Sequence, residues 1–319
     1  MKNIVTLTMN PTVDLSATVD QVLAEHKLRC WDPLYEPGGG GINVSRVIRR
    51  LGGESLAFYT QGGYFGQLMQ DLLAEEDLST HPVAITGSSR ENIIISEENS
   101  GRQFRFGMPG PRLEEEEWQD CLDNLSNLDP PPDFIVASGS LPPGVPNDFY
   151  ARVARVSQEL KAHLVLDASG TPLKQAASEG VFLLKPNMRE LGILAGRDIQ
   201  NEADLIEVAQ DLIGSARCRV VVVSLGAAGA VLVSPSRVER VRAPTVPIKS
   251  KVGAGDSMVA GIVLSLARRW TLTEAVRFGV AAGAAAVMTP GTQLCHREDV
   301  ERLYAGMSED PETSQPGEA

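Results

Sequence analysis

The sequence predicts an α/β protein: a doubly wound, mainly parallel sheet flanked by helices, with a small antiparallel β lid standing off it. Three observations predict this. Short β-rich runs alternate with helical segments along most of the chain, the pattern of parallel strands joined by crossover helices. Polar and glycine-rich motifs fall repeatedly just after those runs, along one edge, and that edge is where open α/β sheets bind ligands. Finally, residues 27–31, 91–96 and 102–106 interrupt the alternation with polar–apolar patterns, the mark of half-buried strands outside the main sheet.

Taken in order, residues 4–8 form a strand that ends at the turn Met9-Asn10-Pro11, with Asp14 just past it. The lid follows, apolar on one face, with Lys27, Arg29 and Arg105 on the other and Arg90 opening its 91–96 strand. Such a basic face is either simply solvated or suited to a phosphorylated substrate. The lid's apolar face would pair with a second copy, so a homodimer is expected. The run Gly38-Gly39-Gly40-Gly41 leads through Asn43 into a helix over 45–51 and reads as a loop whose backbone touches a ligand. Helices are expected over 67–76, over 113–128 with its acidic first turns, and over 203–213. Strands are expected over 134–137, 164–166, 182–184 and 220–223. They are followed respectively by Ser138, by Asp167, by Lys185-Pro186-Asn187, and by Ser224-Leu225-Gly226-Ala227-Ala228-Gly229.

The last motif, 250–258, precedes a small and apolar run over 259–267 that reads as a buried helix. Its glycines Gly253 and Gly255 would stand at the helix start, where unpaired N–H groups attract phosphate. Asp256 there is either a helix cap or a base that takes a proton from an attacking hydroxyl. Asn187 and Glu190, three apart, are either a cap with its partner glutamate or a site for hydrated Mg²⁺. There is no G-x-x-x-x-G-K-[ST] loop, and no G-x-G-x-x-G follows the first strand.

Composition bounds the class. The 319 residues are 43 % hydrophobic and 22 % charged, ordinary for a globular enzyme, and fit one large α/β domain over 1–306 with its lid at about 14–36 and 88–108. A formal net charge of −12 argues against nucleic acid or an acidic membrane as partner. Cys30, Cys121, Cys218 and Cys295 are widely spaced and read as reduced thiols, and the four histidines form no metal-ligand pair. Neither a secretory leader nor a membrane-spanning run is visible, so a cytoplasmic location is expected. The acidic stretch 307–319 is expected to be disordered.

Gly39-Gly40-Gly41-Ile42-Asn43-Val44, Lys185-Pro186-Asn187-x-x-Glu190, Ser224-Leu225-Gly226-x-x-Gly229 and Val252-Gly253-Ala254-Gly255-Asp256-Ser257 together resemble the motif set of the ribokinase-type (PfkB) sugar kinases. They occur in that family's order over roughly residues 1 to 305. Residues 27–30 and 36–41 resemble most closely the family's branch of minor-type bacterial 6-phosphofructokinases, with 1-phosphofructokinases and tagatose-6-phosphate kinases near by.

The resemblance implies a ribokinase-like fold and a phosphoryl transfer from ATP to a ketohexose phosphate, fructose 6-phosphate above all. It implies Asp256 as base, with Gly253, Ala254, Gly255 and Asp256 forming an anion hole. Asp14, Gly39, Gly40 and Asn43 would lie against sugar hydroxyls, and Lys27, Arg29, Arg90, Arg105 and Ser138 against the sugar's phosphate. Lys185, Asn187, Ser224, Gly226 and Gly229 would line the ATP site, with Glu190 and Asn187 organising Mg²⁺. A monovalent cation, K⁺, would sit among Ser250, Val252, Ala286, Thr289 and Gly291. The chain departs from the pattern there: Lys251 replaces a small hydroxyl residue, Thr289 an asparagine, and Gln293 a basic residue.

Overall fold

The computed structural model describes residues 2–308. Most of the stretch expected to be disordered lies outside the described residues, but Met307 and Ser308 belong to the last helix.

The chain opens with β1 (Ile4–Thr8), β2 (Thr12–Val19), β3 (Trp31–Gly38) and α1 (Gly40–Arg50). Next come β4 (Leu56–Gln61), α2 (Gly63–Glu75), β5 (Ser79–Ala84), β6 (Arg90–Glu97) and β7 (Gln103–Phe106). The middle holds α3 (Glu115–Ser126), β8 (Phe134–Ser138), α4 (Phe149–Glu159), β9 (His163–Asp167) and α5 (Gly170–Ser178). After β10 (Val181–Leu184) come α6 (Met188–Ala195), α7 (Glu202–Gly214), β11 (Cys218–Ser224), β12 (Ala230–Ser234) and β13 (Arg237–Val241). The last helices are α8 (Ala254–Ala267), α9 (Leu272–Ala286) and α10 (Arg297–Ser308).

The main sheet has nine strands in the order β13-β12-β11-β10-β9-β8-β1-β4-β5. From β11 to β5 every pairing is parallel, and the β12–β13 hairpin closes one edge antiparallel. Alternation along each strand builds two cores. Val5, Leu7, Ile135 and Ala137 pack under α3 to α7, while Ile4, Phe134, Val136 and Val165 pack under α1, α8, α9 and α10. Both faces are covered, so β11 reads Val-Val-Val-Val without a polar break. Helix α8 is buried almost all round, because it lies between the sheet and α9.

The lid is a four-stranded sheet, β3-β2-β6-β7, in which two antiparallel pairings flank a parallel one between β2 and β6. Several expectations need correcting. Asp14 lies within β2, not in a turn past β1; the alternation Val13, Leu15, Ala17, Val19 carried that signal. Residues 27–30 are irregular and mostly exposed, with Leu28 half-buried, so the lid strand in that region is β3, which starts at Trp31. Helix α1 begins at Gly40, so the glycine run is a strand end and a helix start more than a loop. Strands β4 and β5 and the β12–β13 hairpin were not anticipated.

Candidate active site

The C-terminal ends of β1, β8, β9, β10 and β11 meet along one edge. Ser138 ends β8 opposite Asp167, which ends β9, and Lys185 follows β10 directly. Because parallel strands in register end together, chemistry-bearing residues far apart in sequence fall into one row.

Helix α8 enters this row from its N-terminus. Gly253 is its N-cap, in the left-handed conformation at φ 72°, ψ 0°. A side chain there would also overlap Leu294, so both backbone and space call for glycine. The first-turn amides of Ala254, Gly255 and Asp256 have no carbonyl one turn back to pair with, and they point the positive end of the helix at the site. A side chain on Gly255 would lie 3.7 Å from Lys185 Nζ, so a lysine ammonium shares the space before that helix end. Two positive features facing one gap suit an anion held between them.

Lys185 is buried, with Nζ 3.0 Å from Asp167 Oδ1. Burial works against its charge, but Asp167 foremost, then Glu190 and Asp256, outweigh this and hold its pKa above the usual lysine value. Asp167 was noted in the sequence only as the residue after a strand; its role in fixing Lys185 was missed. The available signal was its place beside Ser138 and Lys185 at the same edge.

Asp256 sits in the first turn of α8, where Asn43 Nδ2 donates to its Oδ2 at 2.8 Å. Burial pushes its carboxyl up to about 6, aided by the neighbouring charge of Asp167 and opposed by the Asn43 bond and Lys185. That value is right for a group that must accept a proton near neutrality. The Asp256 side chain accepts no cap hydrogen bond within its own helix, so the cap reading of the residue does not hold.

The lid supplies the next wall. Asp14 is buried, accepts from Asn92 Nδ2 at 2.9 Å, and lies against Gly38, where a side chain would press on its Oδ2. Burial raises its carboxyl above the usual range. Gly40 lies against the Ser138 hydroxyl so closely that any side chain would collide with it, which brings α1 to the end of β8. Gly39 is the N-cap of α1, against Thr8 and Pro11.

The basic lid residues divide. Arg90 donates Nη1 to Met108 O at 2.6 Å and Nη2 to Asn10 O at 3.0 Å, so it ties the lid to the turn after β1. Arg105 is exposed on β7 and donates to Gln103 Oε1 at 3.1 Å. Lys27 and Arg29 are exposed, and among the described residues no ion pair includes either.

On the nucleotide side, Ser224 bridges to Asn187, and Gly226 and Gly229 bound a short turn after β11. Asn187 and Glu190 form a capping box on α6: Glu190 N donates to Asn187 Oδ1 and Asn187 N to Glu190 Oε2, each at 2.9 Å. The bland sequence reading is thus realised. It leaves a carboxylate whose charge reaches Lys185, and one carboxylate with an amide fits Mg²⁺, which keeps most of its waters. Among the described residues no cluster of three or more His, Cys, Asp or Glu could form a dedicated metal cage.

The segments carrying Ser250 and Val252 and carrying Ala286, Thr289 and Gly291 run side by side. Ser250 Oγ donates to Gly291 O at 2.7 Å and accepts from Val252 N at 3.2 Å; Thr289 Oγ1 donates to Ala286 O at 2.7 Å and also to Gln293 O. Hydroxyl and carbonyl oxygens of both segments thus lie close together, with no charged group among them. Lys251 is exposed beside them.

Residues 3–299 match the family model described as "pfkB family carbohydrate kinase". The chain is 44 % identical to ATP-dependent 6-phosphofructokinase isozyme 2 of Mycobacterium tuberculosis over 98 % of its own length and 92 % of that protein's. It is 40 % identical to the Escherichia coli isozyme 2, covering 97 % of this chain and all of the other (100 %). The crystal structure of Escherichia coli phosphofructokinase-2 in complex with potassium superposes with a TM-score of 0.93 at 40 % identity, over 97 % of this chain and 100 % of that one.

Proposed function

The chain belongs to the pfkB family of carbohydrate kinases, and from that premise we propose that it moves the γ-phosphoryl group of ATP onto fructose 6-phosphate, giving fructose 1,6-bisphosphate. One observation carries the mechanism: a carboxylate tuned to about 6 stands in the first turn of a helix whose free amides face a buried lysine.

Each group then has a task. Asp256 takes the proton of the acceptor hydroxyl as that oxygen attacks phosphorus. The amides of Ala254, Gly255 and Asp256 receive the charge that grows on the transferred group, and they are already oriented by the helix. Lys185, held by Asp167, lies against the phosphates. Asn43 fixes the Asp256 carboxylate, while Asp14 accepts hydrogen bonds from sugar hydroxyls. Glu190 and Asn187 would hold Mg²⁺, whose charge would neutralise that of the phosphates.

Three finer readings belong to the same proposal. The exposed Lys27 and Arg29 and the exposed apolar residues of the lid (Leu34 and Tyr35 each 42 % exposed, Phe106 49 %) support a homodimer through the lid. Lys251 beside the cation-binding segments supports a weakened dependence on K⁺, because its ammonium supplies positive charge at their rim. And one kinase domain over 1–306, with the lid as its appendage, accounts for the sheet order.

The test is ADP release with MgATP across fructose 6-phosphate, fructose 1-phosphate, tagatose 6-phosphate, fructose and ribose. The highest kcat/KM on fructose 6-phosphate is expected. A preference for another phosphosugar would revise the lid assignment, and binding without turnover would replace the kinase by a sugar-phosphate sensor.

A further inference from the structure

Helix α1 reaches three separate parts of the site. Asn43 meets Asp256, as described. One turn on, Arg46 is only 1 % exposed, the largest side chain to be so deeply buried. It donates Nη1 to Pro37 O at 2.7 Å and Nε to Glu76 Oε1 at 2.8 Å, and Nη2 to Glu36 Oε1 at 3.4 Å. Glu36 is buried too, and its other oxygen, Oε2, accepts from the Thr292 hydroxyl. A further turn along, Arg50 donates Nη1 to Leu294 O at 3.2 Å. Leu294 is the side chain packed directly on Gly253, the N-cap of α8.

These contacts form one chain of fixed positions. Glu36 lies on β3 opposite Asp14 of β2, so it moves with the sugar-facing carboxylate of the lid. Thr292 and Leu294 lie on the segment that abuts the first turn of α8. A buried ion network is a poor source of stability, because removing the charges from water costs about what their pairing returns. Its distinctive property is direction, since a guanidinium satisfies several partners in one geometry only.

We propose that Glu36 and Arg46, acting through Thr292, are positioning residues for phosphoryl transfer: they lock the lid strand and the amides of the α8 N-terminus into one frame. The inference rests on the kinase reading and deepens it. Among the described residues Glu36, Arg46 and Thr292 make no hydrogen bond to Asp256 or to the amides of the α8 first turn; with Arg50 they set where the segment 292–294 presses on Gly253.

Thr292→Val removes the donated hydroxyl at nearly constant shape. It is expected to lower kcat by ~10-fold or more, since small misplacement of reacting groups is costly, while KM for both substrates changes little and Tm falls modestly because a buried Glu36 oxygen loses its donor. Thr292→Ser should restore kcat to within about 2-fold of wild type, and adding Thr292→Val to Glu36→Gln should cost little beyond Glu36→Gln alone. Hydrogen exchange of peptides covering 253–258 should quicken in Thr292→Val, a readout that needs no turnover. Unchanged exchange there, a wild-type kcat, a fall in Tm without a fall in kcat, or strict additivity of the two substitutions each overturns the proposal. Failure of the wild type to phosphorylate any sugar would instead sink the kinase reading, and the exchange measurement would still decide the coupling.

Discussion

Asn43 and Asp256 are 213 residues apart in the chain, yet the Asn43 amide donates to the Asp256 carboxylate at 2.8 Å. The bond joins the first turns of α1 and α8, each of which has a glycine as its N-cap. It also stabilises the ionised carboxylate against the burial that pushes its proton affinity up.

Asp256→Asn should lower kcat by about 10³-fold or more with fructose 6-phosphate, because it removes both the proton acceptor and its charge. The same change should stabilise the ligand-free protein. The folded carboxyl has a pKa of about 6 against 3.8 in the absence of its surroundings, so the folded state holds more protons between those values and stability falls as pH rises through them. At pH 7.5 the variant is therefore expected to melt a few degrees higher. A variant that kept its activity, or melted lower, would remove Asp256 from its role.

The pH profile of kcat/KM should show an acid limb near pH 6, activity being lost as Asp256 is protonated below that value. Asn43→Ala removes a hydrogen bond that favours the ionised form, so its limb should move to higher pH. An unmoved limb would show that another group controls it.

Asp167→Asn leaves the Lys185 ammonium buried beside a neutral amide. The loss should be about 3 kcal/mol of stability near neutral pH, the scale of a broken buried pair, and kcat should drop with it. The folded lysine has a raised pKa, so the pair's contribution is complete below the usual lysine range and fades as pH rises through the folded value. Chemical denaturation at pH 7 and pH 11 checks this: the gap between wild type and variant should narrow at the higher pH.

Gly253→Ala forces a side chain into a backbone with φ 72° and onto Leu294. A loss of about 1–3 kcal/mol is expected, with kcat reduced more than KM because the amides move. A variant with wild-type kcat and Tm would show that the helix start tolerates displacement.

K⁺ compared with Na⁺ at constant ionic strength should change the rate only modestly, and Lys251→Ser should make the rate more dependent on K⁺. Strict dependence in the wild type would sink the role given to Lys251.

The sequence by itself determined the fold class and named most of the residues that the structure gathers along one sheet edge. A four-valine run in β11, strands spaced by helices, and motifs placed just after strands are local signals, and locality is what periodicity can read. So Asp256, Lys185, Asn187 and Asn43 could all be named from spacing and resemblance. Tertiary structure alone decided the partnerships. Which carboxylate holds Lys185, what raises Asp256, and why Arg46 is buried all depend on residues brought together by strand register and helix crossing. The same reason explains why the strand expected to begin at Lys27 is absent over 27–30: an alternating pattern announces a strand, but pairing is settled by what covers the segment. Electrostatics follows distance in space, which a linear pattern does not carry.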